Sequence, residues 1–60
     1  MGMFNQLKRC HVFYTVDDGP IKTIVVLATD IFSAYIVAEE EIAEIYPAYF
    51  DVKIIGVHKE

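Results

Sequence analysis

Lys8-Arg9-Cys10-His11-Val12-Phe13-Tyr14-Thr15-Val16-Asp17-Asp18-Gly19-Pro20-Ile21-Lys22-Thr23-Ile24-Val25-Val26-Leu27-Ala28 is the stretch whose reading decides the fold. Residues 8–17 are dense in β-branched and aromatic side chains and read as a strand. Asp17-Asp18-Gly19-Pro20 interrupts it with two turn-forming acids, a glycine that tolerates positive φ and a proline. Ile21 to Ala28 reads as a second strand. A four-residue loop makes the pair a hairpin in which Val16 is expected opposite Ile21, Phe13 opposite Ile24 and Val12 opposite Val25.

Beyond the hairpin, Thr29 and Asp30 stand where a helix begins, since either side chain can accept hydrogen bonds from first-turn amides. The expected helix runs from Ile31 to about Tyr46. Ile31, Ala34, Tyr35, Ala38, Ile42 and Ile45 fall on one stripe at steps of three and four, and Pro47 closes it. Asp51 to His58 reads as a third strand. A right-handed crossover through the helix returns the chain to the sheet. The third strand then lies beside the first and antiparallel to it, giving order 2-1-3. Pairing beside the second strand is the alternative, set aside because antiparallel neighbours are commoner. The expected fold is therefore α+β: a small ββαβ domain over residues 1–60, its three-stranded, mainly antiparallel sheet covered on one face by one helix.

Side-chain alternation sorts this sheet into two faces. With the register above, Cys10, Val12, Tyr14 and Val16 share the helix side with Ile21, Thr23, Val25 and Leu27. Val52, Ile54 and Gly56 are expected to join them. The uncovered face then has an apolar centre of Phe13, Ile24, Val26, Ile55 and Val57 inside a polar margin of His11, Thr15, Lys22 and Lys53. An apolar centre with a polar rim is how an interface is built, so those five residues are the expected self-association surface.

Energetics point the same way. Sixty residues make one small domain at most. Folding removes about 3,500 Å² of apolar surface, roughly 90 kcal/mol at ~25 cal/mol per Å², while ordering the chain at ~1.5 kcal/mol per residue costs about as much. Chains this short recruit disulfides, metals or partner chains. The single cysteine, Cys10, cannot form an intramolecular disulfide, and no zinc-ligand spacing exists. A homo-oligomer, with a dimer favoured, is the remaining route, and a 55% hydrophobic composition suits it.

Other function classes fare worse. With nine acids against five bases the net charge is −4, and the basic residues are scattered, so no nucleic-acid partner is expected. No apolar run approaches the ~20 residues that span a bilayer, and no export signal is visible, so a cytoplasmic location and no membrane partner are expected. Cys10 and His11 are adjacent on a strand and point to opposite faces, so they cannot readily serve one centre. His58 can approach His11 in order 2-1-3, but surface histidines are the expected outcome. Asp17-Asp18-Gly19 lacks the ligand pattern of a calcium loop. No catalytic residue, metal or cofactor is expected, and the chain is not expected to be an enzyme.

A partner surface is expected elsewhere. Phe32 and Ile36 form, with Ala43, an apolar strip beside the core stripe of the helix that either completes the oligomer, with the glutamates keeping it soluble, or receives a partner. Glu40, Glu41 and Glu44 form an acidic ridge able to steer a basic target toward it. Tyr46-Pro47-Ala48-Tyr49-Phe50 is an aromatic connection that either tucks under the helix end or, through Tyr46 and Tyr49, anchors a protein.

In general character — very short, acidic, apolar-rich and without a recognisable catalytic motif — the chain resembles the small proteins that phages make to block host enzymes or defence systems. That resemblance implies an inhibitor that binds a larger host macromolecule. The expectation is a non-enzymatic homo-oligomeric interaction module. The alternative is a small-ligand-binding or enzyme-accessory subunit with its pocket between protomers.

Overall fold

A computed structural model describes residues 6–60. The elements follow the chain as β1 (Lys8–Val16), β2 (Lys22–Ala28), α1 (Ile31–Ile45) and β3 (Val52–Lys59). The strands form one sheet in order β2-β1-β3, and β1 pairs antiparallel with both neighbours. This is the expected α+β arrangement with one helix on one face.

The hairpin turns one residue earlier than expected. Gly19 N–H donates to Val16 O at 2.9 Å, and both residues between them, Asp17 and Asp18, have positive φ, 53° and 58°. This tight closure places Phe13 opposite Thr23 and Val12 opposite Ile24. A one-residue slip turns every side chain of a strand to the other face. Ile24 and Val26 consequently lie on the helix side, where Val26 is buried and Ile24 packs against the core. Val25 and Leu27 are the exposed large apolar members of β2. The expected placement of Ile24 and Val26 on the open face is thereby corrected.

A second irregularity acts on β3. The β1–β3 register shifts between Phe13 and Tyr14: Phe13 pairs with Gly56 and Tyr14 with Ile54, leaving Ile55 as the extra residue of a bulge. On the N-terminal side of the bulge Val52 and Ile54 face the helix, as expected. Beyond it the alternation is reset, so Val57 pairs with Val12 and packs against the core, while Gly56 moves to the open face under the Phe13 ring. Val57 is the third corrected residue.

Helix α1 begins as its sequence directs. Asp30 is extended, and its Oδ1 accepts from Ser33 N–H at 2.7 Å. The helix ends where Tyr46 N–H donates to Ile42 O, one residue before Pro47. Ala34, Ala38 and Ile42 are its buried residues, and they meet Cys10, Val12, Tyr14, Val26 and Ala28 in the core. Alanines on the helix and Ala28 beneath it permit close approach but fill little volume. Ile31, Tyr35 and Ile45, expected in the core stripe, remain exposed.

Candidate interaction surfaces

The thin core leaves large apolar side chains outside, and they are unevenly distributed. A cleft of ≈ 610 Å³ opens between the C-terminal half of α1 and β3. Tyr35, Glu39 and Ala43, each four residues from the next, supply its helix wall, and Tyr46 and Phe50 close one end. Ile54 and Ile55 both line it from β3. The bulge explains this, because two successive residues can then serve one side of a strand that otherwise alternates. Ile55 was expected at the centre of the open face and belongs instead to this cleft.

Aromatic packing builds the closed end. Tyr46 meets the buried Tyr14 at 6.4 Å between ring centroids and Phe50 at 5.6 Å, both edge-on. Burial, and then the neighbouring Tyr46 hydroxyl, hold the Tyr14 phenol above its ordinary value. Tyr49 stacks on Phe50 at 4.8 Å yet is 82% exposed. The five-residue connection is thus divided: Tyr46 and Phe50 tuck under the helix end, and Tyr49 stands out to solvent. Phe32, 76% exposed, and Ile36 continue the apolar surface one strip further round the helix. Glu40, Glu41 and Glu44 are exposed. Wheel positions place Glu41 and Glu44 on the flank of α1 away from the cleft, with Glu40 between them and Ile36.

The face of the sheet opposite α1 carries Phe13, Val25 and Leu27, set among Arg9, His11, Thr15, Thr23 and His58 by the observed register. Of the five residues expected to form an apolar centre there, Phe13 alone occupies it. His11 and His58 are cross-strand partners with ring centroids 6.4 Å apart. Glu60 joins them: its Oε2 lies 2.6 Å from His11 Nε2, and its Oε1 accepts from Arg9 Nη2 at 3.1 Å. The hydrogen bond with His11 first, and that with Arg9 second, hold the Glu60 carboxyl below the ordinary carboxylate range. These groups are exposed, so they order the strand end more than they stabilise the fold.

Cys10 lies on the opposite side of β1 from His11, fully buried, with its thiol directed at Lys8 O at 3.6 Å. Among the described residues no group of three or more His, Cys, Asp or Glu side chains is placed to hold a metal ion. Among them, too, no helix is long and apolar enough to cross a membrane.

Of the residues expected in a partner surface, Phe32, Ile36 and Tyr49 are exposed and Tyr46 lines the cleft, which it shares with Tyr35, Glu39 and Ile55, none of them expected there. The i, i+4 spacing of Tyr35, Glu39 and Ala43 was available as a signal. The bulge that brings Ile55 to meet them has no comparable local signature. Compared with family models, with curated proteins and with solved structures, the chain matches none.

Proposed function

We propose that this chain is a non-enzymatic protein–protein interaction module that self-associates, as a dimer in its simplest form, and engages a larger protein. One observation carries the reading: among the described residues the core holds eight buried side chains, while Phe32, Tyr35, Ile36, Tyr49 and Ile55 are each at least 40% exposed. Exposed apolar residues are ordinary when scattered, but contiguous ones mark contact surfaces. The acidic ridge adds support for a protein target. Glu40, Glu41 and Glu44 crowd the C-terminal part of α1, where negative charge opposes the helix dipole. A ridge held at a cost to its helix suits attraction of a basic partner surface. Inhibition of a host enzyme or defence system is the form such a module takes in the small phage proteins it resembles. A reducing cytoplasm suits its single buried thiol.

A second reading has its own support. A cleft of ≈ 610 Å³ is within the size range of small-ligand sites, so a pocket completed by a second protomer would make the chain a ligand-binding or accessory subunit. Native mass spectrometry at micromolar concentration separates the two. The interaction reading expects a ligand-free oligomer of the 6.9 kDa chain. A small molecule retained in stoichiometric amount would favour the second reading, and a monomer at every concentration would remove self-association from both.

A further inference from the structure

We infer that the flank formed by α1 and β3, with its cleft, is the surface on which a second copy of this chain docks. The inference rests on the self-association reading above and adds to it the choice of surface. Three observations select this flank over the open face and over the opposite side of the helix.

Charge is the first. A two-fold dimer places one patch against itself, so a patch of single sign repels its own copy. The side of α1 bearing Glu41 and Glu44 is of this kind. The cleft is lined by two charged residues of opposite sign, Glu39 on the helix wall and Lys53 on the strand wall. Lys53 Nζ is already met by its own chain, 3.5 Å from Asp18 Oδ1 and 3.9 Å from Asp51 Oδ2, so the charge that the cleft itself sets against a copy is the single carboxylate of Glu39, against the pair Glu41 and Glu44 on the opposite side.

Area is the second. Phe32, Tyr35, Ile36, Tyr49 and Ile55 offer roughly 600 Å² of accessible side-chain surface, taking about 150–250 Å² for a whole aromatic and scaling by exposure. With the cleft walls of Ala43, Pro47 and Ala48 added, this approaches the ~800 Å² that each partner contributes to a standard interface. The open face presents Phe13, Val25 and Leu27 among polar neighbours, and Phe13 is already half-buried.

Strand chemistry is the third. β3 is an edge strand, but Lys53, Lys59 and the Ile55 bulge all discourage backbone pairing with another strand. The same bulge directs Ile55 into the cleft. The docking is therefore side chain on side chain, knobs of Phe32 and Ile36 from one copy entering the cleft of the other.

The test is the molar mass of the full-length chain by light scattering across micromolar concentrations, with circular dichroism to confirm folding. Wild type should approach twice 6.9 kDa. Phe32→Glu and Ile36→Glu alter exposed positions, so both should stay folded while the concentration at half-dimerisation rises at least tenfold. Leu27→Glu, on the open face, should leave that concentration unchanged. A dimer that survives Phe32→Glu and Ile36→Glu but is lost in Leu27→Glu would overturn the choice of flank and leave the self-association reading standing. A wild-type monomer throughout would overturn both.

Discussion

At the scale of single residues, the hairpin turn shows two identical side chains under the same backbone constraint with different consequences. Asp17 and Asp18 both occupy the left-handed region, where a side chain is tolerated at a cost that glycine avoids. Asp17 uses its position. Its N–H donates to Asp51 O at 2.8 Å and its Oδ1 accepts from Asp51 N–H at 2.9 Å, tying the turn to the entrance of β3. Asp18 is exposed, and its side chain approaches Lys53 Nζ at 3.5 Å. Exposed ion pairs of that kind contribute about 0–1 kcal/mol, near the low end at such a distance. Relief of the backbone therefore wins at Asp18, and loss of the tie wins at Asp17. Asp18→Gly should stabilise the protein by about 0.5 kcal/mol, whereas Asp17→Gly should destabilise it by about 1 kcal/mol through the lost side-chain hydrogen bond. Urea unfolding of both variants is the check; a stabilised Asp17→Gly would show that the tie to Asp51 is not maintained in solution.

At the scale of elements, how much could be read in the sequence follows from how local each signal is. The start and end of α1 are written in Asp30 and Pro47 and were readable to within a residue. The strands, their order and the inward face of β1 were equally readable, because alternation from Cys10 to Val16 is internal to one strand. The register of β2 was not, because it depends on whether the turn closes on Gly19 or one residue later, and four residues that all favour turns do not say which. That single residue exchanged Ile24 and Val26 for Val25 and Leu27. The bulge at Ile55 was harder still, since it arises between strands rather than within one. Charge along α1, by contrast, is fully legible and makes a prediction. Glu44 lies in the last turn and one turn beyond Glu40, so it meets both the negative end of the helix dipole and a like charge at i−4. Glu44→Lys relieves both and should raise stability by about 0.5–1 kcal/mol while leaving the molar mass in solution as in wild type. An unchanged or lower denaturation midpoint would mean that these glutamates already have cationic partners in solution.

For the whole molecule, two carboxylates link folding to pH because the fold favours their ionised forms. The Ser33 backbone N–H, bonded to Asp30 at the start of α1, holds that carboxyl below its ordinary value, and His11 followed by Arg9 does the same for Glu60 at the end of β3. A carboxyl whose folded value is depressed binds its proton more readily in the unfolded chain. Its contribution is complete above the unfolded value, near pH 4, and is lost as pH falls through the lower folded value. Stability should therefore be insensitive to these two groups from pH 7 to about 5 and should decline below about pH 4. The net charge of −4 opposes this trend, since acid reduces the self-repulsion of the folded chain. Substitution separates the two effects. Asp30→Asn retains a capping oxygen and Glu60→Gln retains an acceptor for Arg9, yet neither titrates. The double variant should melt below wild type at pH 7, where it lacks the carboxylates' contribution, and should converge with it in acid, losing part of the decline in melting temperature between pH 5 and pH 2. A decline as steep as that of the wild type would place the acid sensitivity in other carboxylates and show that neither the cap of α1 nor the end of β3 is coupled to global unfolding.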